Sequence, residues 1–320
     1  MYYPFFRGKL NELIAIRETA EVMAESRIVP IISPVRNELK GLHKTLATLC
    51  EAKADAVVVV NPEHGQLADD SEPIIGLLGE EFADHDNLSL GIRLHGDMTA
   101  DEALEISSSA GERTVTFIHS GFKYANELIE NLDKDVRVES NVFLEDDCGK
   151  LYQRKFAKSS AQRVLIRDGF ERRRNRDHPR SEFFSDLHIT YEDEGMDGFG
   201  DYLIVGDEYS ESGGPAYTIA IHLTYIDEEQ DKAMFLRHFL SDRQDSPKDP
   251  GGKFGEALQK LINFLDGPNG YKFFESKAIA EFRDLHDREH YPGLGYAKKL
   301  SMIHHIETMA NFLDNNEGES

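Results

Sequence analysis

The chain has few cysteines, a shortage of basic residues and no long apolar run. Its 320 residues include only two cysteines, Cys50 and Cys148. Two cysteines so far apart form neither a disulfide framework nor a zinc-binding motif. The 36 Lys and Arg against 59 Asp and Glu leave a net charge of -23, which disfavours nucleic-acid partners because phosphate backbones bind basic surfaces. No apolar run approaches the roughly 18 residues that a membrane span needs, so we expect no membrane-spanning segment.

Several targeting and catalytic signals are missing as well. The opening MYYPFFRGKLNELIAIRE has no basic stretch followed by an apolar run and a small-residue cleavage site. We therefore expect no signal peptide and a cytoplasmic protein. The sequence contains no GxSxG, no HxH or HExxH, no GxGxxG and no phosphate-loop motif. The usual sequence motifs of a serine nucleophile, a zinc site or a dinucleotide site are thus absent, so a dedicated zinc site has little support from the sequence.

What the sequence does contain is a regular series of short apolar runs. They lie at residues 28–33, 56–61, 88–95, 113–120, 136–146, 163–168, 201–207 and 217–225. Stretches with helical spacing of apolar residues separate many of them, at 39–52, 100–109 and 124–132. Alternating strands and helices are typical of parallel βαβ units. Eight such strands predict a (β/α)8 barrel of the TIM type, and a doubly wound open sheet is the alternative.

The predicted layout is one domain with helical additions at both ends. Residues 1–26 are predicted as an N-terminal helical lead, 27–265 as the barrel, and 266–320 as C-terminal helices with a frayed tail. Within the barrel range we predict helices near 228–240 and at 254–265, on either side of a loop rich in Pro, Gly and charge.

The alternation within two strands predicts which side chains face the lumen. In residues 88–95 the apolar set is Leu88, Leu90, Ile92 and Leu94, and the other set contains Arg93 and His95. In residues 217–225 the corresponding inward set contains His222. Because successive residues of a barrel strand alternate between the helix layer and the lumen, we expect Arg93, His95 and His222 above the lumen floor.

Acidic residues follow the predicted strands. Asp168, Asp207 and Glu208 are candidate catalytic groups with His222 as proton carrier, and Glu145, Asp168 and Asp207 are candidate ligands for a divalent cation such as Mg²⁺. The reason is that the carboxyl ends of barrel strands form the functional face, and carboxylate oxygens suit hard cations. The alternative is that they are loop carboxylates that cap the following helices.

Basic and glycine residues near the same ends suggest an anion site. The candidate ligand-binding residues are Arg93, His95, Arg167, Gly213 and Gly214. An arginine can hold phosphate or carboxylate with two hydrogen bonds, and consecutive glycines can turn backbone N–H groups toward an anion. Internal salt bridges and a simple turn are the alternatives. The basic run 172–180 either binds an anionic ligand, nucleic acid or acidic partner, or pairs with the protein's own acids.

Three segments carry a family resemblance. YPFFRGKLNELIAIRE at the start, GFGDYLIVGDEYSESGGPAYTIAIHLTY at 198–225 and the later HFLSD and KFGEALQKL segments resemble the phage and bacterial "Beta protein" family. The resemblance spans nearly the whole chain. It implies a cytoplasmic, single-domain protein that acts in phage–host conflict, and it implies no catalytic residues.

Two functional hypotheses follow. The first is a barrel that binds or hydrolyses a phosphorylated small molecule or nucleotide at its mouth. The second is a non-enzymatic partner subunit of a nuclease-containing defence module. Convergence of Arg93, His222 and Asp207 in one pocket would favour the first. A lumen filled by Tyr and Phe, with the charged groups paired to one another, would favour the second.

Overall fold

The computed structural model describes residues 1–68, 70–211, 214 and 216–316. Its strands are β1 Phe5–Phe6, β2 Ile31–Ile32, β3 Ala56–Val59, β4 Leu88–His95, β5 Val115–Ser120, β6 Val138–Leu144, β7 Gln162–Ile166, β8 Ser181–Ser185, β9 Gly198–Gly200, β10 Ala220–Asp227 and β11 Ala233–Leu240. Its helices are α1 Leu10–Glu18, α2 Ala20–Glu25, α3 Lys40–Ala52, α4 Glu72–Glu81, α5 Ala100–Ser108, α6 Ala125–Asn131, α7 Lys150–Gln153, α8 Leu187–Thr190, α9 Pro250–Leu265, α10 Lys277–Asp287 and α11 Leu294–Asn316. The helices predicted at 39–52, 100–109, 124–132 and 254–265 are confirmed by α3, α5, α6 and α9.

Eight parallel strands form the predicted barrel. Their order is β1-β2-β3-β4-β5-β6-β7-β9. The two ends of this series meet, because the Tyr3 N–H donates to the Phe199 carbonyl at 2.8 Å and the Phe5 N–H donates to the Asp201 carbonyl at 2.9 Å. An open sheet keeps its two edges apart, so the doubly wound alternative is wrong.

The N-terminal segment supplies the first barrel strand, which corrects the prediction of a helical lead over residues 1–26. Tyr2 and Phe6 pack with the outer helix layer, whereas Tyr3 and Phe5 fill the lumen. This alternation buries four aromatic side chains on two faces, which a strand achieves and a helix does not. The helical part of the segment, α1 and α2, begins only at Leu10.

The last barrel strand is β9, so the strand predicted at 201–207 begins too late. The chain turns away from the barrel directly after β9. The Asp201 carboxylate accepts from the Leu203 N–H at 2.8 Å, and Leu203 adopts a left-handed φ of 53°. Gly200 is required at the closure, since a Cβ there would lie 2.0 Å from the Tyr3 carbonyl oxygen. The barrel therefore closes where β9 passes close to β1.

The predicted eighth strand, 217–225, lies outside the barrel. It corresponds to β10, which pairs antiparallel with β11, and β11 pairs antiparallel with β8. The helix predicted near 228–240 is wrong, because most of that segment is β11. A turn with left-handed φ at Asp231 and Lys232 connects the two strands, and the buried residues of β11 include Met234, Leu236 and His238 with strand alternation. Helices α9 and α11 contact this sheet, and α11 also packs on α1.

The lumen is filled, and β4 has the predicted orientation. Leu88, Leu90, Ile92 and Leu94 pack in the outer layer. On the other face, Ser89 belongs to a hydroxyl ladder near the bottom, with 2.9 Å from Ser89 to Thr116 and 3.0 Å from Thr116 to Ser140. The rest of the lumen is packed with aliphatic and aromatic side chains, which are Tyr3, Phe5, Val29, Ile31, Val57, Val59, Ile118, Val142, Val164, Ile166 and Tyr202. Among the described residues, no helix is long and apolar enough to cross a membrane.

Candidate functional site

Arg7 occupies the barrel mouth at the end of β1. Only 7% of this residue is exposed, and its guanidinium lies 5.1 Å from the ring centre of Phe5 and 5.4 Å from that of Tyr202. It donates to the Asp207 carbonyl at 2.7 Å and forms an ion pair with the Asp207 carboxylate. Its Nε is buried and has no hydrogen-bond partner among the described residues. The mouth therefore holds a buried cation with one unused donor.

The segment that follows β9, residues 202–211, is called the closing loop here because it is tied to the mouth by polar contacts. The Asp207 N–H donates to the Asp168 carboxylate at 2.7 Å, and Lys9 Nζ donates to the Ser210 carbonyl at 2.5 Å. The Tyr209 ring stacks on His64 with 4.7 Å between ring centres. The loop is thus held to the mouth by several separate contacts.

Arg93 lies at the mouth, as predicted, but it is paired internally. Its guanidinium donates to Ser120 Oγ at 2.9 Å and lies 3.0 Å from the Glu63 carboxylate. Ser120 in turn donates to Asp147 at 2.7 Å. His95, at the end of the same strand, forms a backbone bridge with Gly121. The structure therefore contains an internal salt bridge at Arg93, with Glu63 as its partner, which was the alternative to a ligand-binding role.

Arg167 and Glu145 are both at the mouth and bind each other. Arg167 donates to the two Glu145 oxygens at 2.6 and 2.9 Å and to Asp186 at 3.1 Å. The hydrogen bonds with Glu145 raise the pKa of Arg167. A predicted ligand-binding group and a predicted metal ligand therefore neutralise one another.

The three acids predicted to hold Mg²⁺ are each engaged with other partners. Asp168 uses its carboxylate to accept from the backbone N–H groups of Phe170 at 2.9 Å and Asp207 at 2.7 Å. Burial raises the pKa of Asp168, and these two hydrogen bonds act in the opposite direction. Asp207 pairs with Arg7, and Glu145 pairs with Arg167. Across the part of the chain that the structure describes, the acids of the mouth are not gathered as ligands of one ion.

Two further predictions concern exposed residues. Glu208, predicted as catalytic, has a side chain that is 68% exposed and forms an ion pair with Arg172. Arg173 of the same basic run pairs with Glu182 at 2.9 Å. The run therefore pairs in part with the protein's own acids. Gly213 lies outside the described residues, and Gly214 is exposed with no atom within 4 Å of the place that a Cβ would take.

His222 is not at the mouth, which corrects its predicted role as proton carrier there. It faces His238 across the pairing of β10 and β11, and His178 precedes β8. These three residues are called the histidine cluster. The Nδ1 atoms of His222 and His238 lie 2.7 Å apart, and the rings of His178 and His238 stack with 4.3 Å between centres. Their position follows from the antiparallel sheet, in which His222 and His238 are direct partners.

The histidine cluster is neutral and held from one side by a carboxylate. Burial lowers the pKa of His222 well below its usual range and that of His238 to about 3. The Glu182 carboxylate accepts from His238 Nε2 at 2.8 Å and lies 3.4 Å from His178 Nδ1. A cavity of about 470 Å³ adjoins the cluster and is lined in part by His178, His238 and Lys260. The sequence did not indicate His178, His238 or Glu182 as members of one site. For His238 the available signal was the strand alternation of residues 233–240.

A second set of buried polar residues, the buried joint, connects the barrel to α11 and β10. The Tyr2 hydroxyl donates to Asp201 at 2.8 Å. His305 contacts Asp201 through Nε2 at 3.2 Å and Thr224 through Nδ1 at 3.0 Å. Burial by itself would raise the pKa of Asp201, but the nearby His305 has the opposite effect, and the pKa of Asp201 is lowered. No spacing in the sequence indicates this set, whose members lie far apart along the chain.

Comparison with known proteins finds remote structural matches. No family model matches the chain, and no curated protein is significantly similar to it. Solved structures that match 63% of this chain at 12% identity include N-acetylneuraminate lyase from Mycoplasma synoviae, over 67% of that chain with a TM-score of 0.38. They also include tryptophan synthase from M. tuberculosis, matched over 84% of that chain with a TM-score of 0.42. A mutant O-GlcNAc hydrolase from Thermobaculum terrenum is matched over 54% of that chain with a TM-score of 0.38. At these scores the likeness carries no argument.

Proposed function

We propose that the barrel mouth binds a small anion of the phosphate or carboxylate class, with Arg7 as its principal anchor. The observation that carries the proposal is the state of Arg7, which is buried, unpartnered at Nε and paired to a carboxylate on a loop. The Asp207 side chain is 54% exposed, whereas that of Arg7 is 8% exposed. The cation is therefore part of the barrel, and its counterion belongs to the part of the mouth nearest to solvent.

A ligand anion can replace the Asp207 carboxylate without leaving Arg7 unpaired. A buried guanidinium requires a counterion, because an uncompensated buried charge is strongly destabilising. Phosphate or carboxylate presents two oxygens and can accept from both Nε and a terminal nitrogen, which is the favoured geometry of arginine. Asp207 would then act as an internal substitute for the ligand, and the closing loop would move with it.

The groups at the mouth support binding of an anion and no particular reaction. His222, the predicted proton carrier, lies on the other sheet, and Asp168 is occupied with backbone N–H groups. The filled lumen does not oppose a site above it, because the interior of such barrels is a packed core and their sites lie on the loops.

Thermal unfolding of the purified chain with inorganic phosphate, pyrophosphate or citrate tests the proposal. Arg7→Lys keeps the charge but removes the two-nitrogen geometry, so stabilisation by the anion should disappear. Asp207→Asn removes the competing carboxylate, so the same anion should bind about tenfold more tightly, which corresponds to about 1.4 kcal/mol of binding free energy. Arg172→Lys at the rim is the matched control and should bind like the unaltered chain. Equal stabilisation of the unaltered chain and Arg7→Lys would contradict the proposal.

The second candidate is a non-enzymatic partner subunit of a nuclease-containing defence module, in keeping with the phage–host conflict that the resemblance implies. One observation in its favour is that the mouth arginines Arg93 and Arg167 are paired with carboxylates of the protein itself. Another is Phe183, which is 52% exposed and packs edge-on against Phe235. Exposed aromatic side chains are common anchors of protein interfaces. Phage plating on cells that carry the protein distinguishes the two candidates. Loss of protection with Phe183→Ser but not with Arg7→Lys supports the partner role, and the reverse supports the anion site.

A further inference from the structure

We propose that His178, His222 and His238 bind a single transition-metal ion of the Zn²⁺ class on the antiparallel sheet, at a site independent of the barrel mouth. Each histidine offers one ring nitrogen, and the three nitrogens lie within 4.8 Å of one another. In the part of the chain that the structure describes, this is the group of His, Cys, Asp and Glu whose donor atoms gather as metal ligands do.

The spacing of the nitrogens fits an ion after a small movement. The Nδ1 atoms of His222 and His238 are 2.7 Å apart, at hydrogen-bond distance. With Zn–N bonds of about 2.0–2.1 Å in a tetrahedral site, two ligand nitrogens lie about 3.3 Å apart, so the rings must separate by roughly 0.6 Å. Rotation of two imidazole rings about their side-chain bonds supplies this without a change in the strands.

Glu182 orients the cluster as the outer carboxylate of a metal site does. It accepts from His238 Nε2 at 2.8 Å, which fixes the proton on that nitrogen and leaves the lone pair of Nδ1 facing His222. In the ion-free form, His222 must then carry its proton on Nδ1. On binding, that proton moves to Nε2 of the same ring, so His222 remains neutral and both Nδ1 lone pairs face the ion. Arg173 holds Glu182 in place at 2.9 Å. A carboxylate behind a ligating histidine is the usual second layer of such sites.

The chemistry of the donors selects the class of ion. Three imidazole nitrogens suit Zn²⁺ and its neighbours in the first transition series, whereas Mg²⁺ and Ca²⁺ require oxygen ligands. The cavity of about 470 Å³ lined by His178 and His238 supplies an entry path. It also supplies room for a water molecule as the fourth ligand, which three protein ligands leave open.

The test is a titration of the full chain, dialysed against a chelator, with Zn²⁺ and with Co²⁺ as a spectroscopic probe. We expect one ion per chain, a strong visible absorption of tetrahedral Co²⁺, and no competition by Mg²⁺. His222→Gln should abolish binding. His43→Gln is the matched control, because His43 is a surface histidine paired with Glu81, and it should bind like the unaltered chain.

A milder variant keeps the test decisive if His222→Gln fails to fold. Glu182→Gln retains the three ligands and removes only the outer carboxylate, so Zn²⁺ affinity should fall about 10–100-fold. The proposal is overturned if the unaltered chain binds no stoichiometric Zn²⁺, if bound Co²⁺ lacks the tetrahedral absorption, or if Glu182→Gln keeps the original affinity.

Discussion

The barrel mouth and the histidine cluster use polar side chains in opposite ways. At the mouth, arginines are matched with carboxylates, as in Arg93 with Glu63 and Arg167 with Glu145. In the histidine cluster, burial lowers the pKa of His222 and of His238, so the imidazoles are neutral and depend on each other and on Glu182. Charged groups near solvent satisfy one another at little net gain, whereas neutral imidazoles retain lone pairs for a ligand.

This difference shows why a residue's type does not reveal its use. The mouth has the composition of a catalytic site, but most of its charges are already paired. The sheet has an unremarkable sequence, but its register places two histidines directly opposite each other. The following predictions test how far the two regions are independent, beginning with the buried joint that connects them.

The largest effect is expected at the buried joint. Asp201→Ala removes the carboxylate shared by Tyr2 and His305, and breaking such a buried pair costs about 3–5 kcal/mol of the free energy of unfolding. Urea denaturation followed by circular dichroism measures it. Asp266→Ala, which removes an exposed partner of Arg283, is the control and should cost less than about 1 kcal/mol. A small effect of Asp201→Ala would mean that the barrel and the sheet are joined elsewhere.

The next effect separates the two proposed sites. At a hundredfold excess over Kd, either Zn²⁺ or phosphate should raise the free energy of unfolding by about 2.7 kcal/mol. Arg7→Lys should remove only the phosphate effect, and His222→Gln should remove only the Zn²⁺ effect. Thermal unfolding of both variants with each probe measures this. If one variant abolishes both effects, the two sites are coupled and the comparison fails.

Acid should destabilise both regions through buried histidines outside the proposed sites. Burial lowers the pKa of His119 to about 3 and that of His304 to about 4, from the ordinary value of 6.5. Below pH 6.5 the unfolded chain takes up these protons and the folded chain does not. Each histidine should therefore reduce the free energy of unfolding by roughly 1.4 kcal/mol per pH unit, from pH 6.5 down toward its folded pKa.

Urea denaturation across this pH range measures the slope. His304→Gln removes one titrating group under the sheet, so its slope should be smaller than that of the unaltered chain by the contribution of one histidine. An identical slope in the variant would contradict the assignment of His304 as a neutral buried group.

The smallest effect is expected at the rim of the mouth. Glu208→Gln breaks an ion pair with Arg172 in which both side chains are largely exposed. Such pairs contribute about 0–1 kcal/mol, so stability and anion binding should both remain nearly unchanged. Binding of phosphate to Glu208→Gln, measured by calorimetry, checks this. A strong loss would restore the functional role that the sequence predicted for Glu208.

The parts of the fold that could be predicted are those with a local pattern. The run at 88–95 alternates between apolar and other residues, and the run at 113–120 is centred on Val115, Phe117 and Ile118; both are barrel strands. The segment 2–6 is aromatic at every position except Pro4, so no alternation marks it as a strand, and the sequence predicts a lead there. The segment 233–240 contains apolar residues at spacings that suit both a helix and a strand, and pairing with β10 decides for the strand.

The candidate sites were less predictable than the fold. Arg93, Arg167, Asp168 and Asp207 do lie at the mouth, because the carboxyl ends of parallel strands share one face. Which of them are paired could not be inferred, because the pairing depends on side chains contributed by loops. His222 was assigned to the wrong sheet, since the eighth barrel strand comes from β1 at the other end of the chain.

The sequence by itself determined the barrel class and the acidic surface. Both depend on properties that are local or additive, namely the alternation of apolar residues and the sum of charges. The tertiary structure alone decided that Arg7 is buried against Asp207, that His305 meets Asp201, and that His222 faces His238. These contacts join residues 200, 104 and 16 positions apart. Their formation depends on barrel closure, helix docking and strand register, which no local pattern encodes.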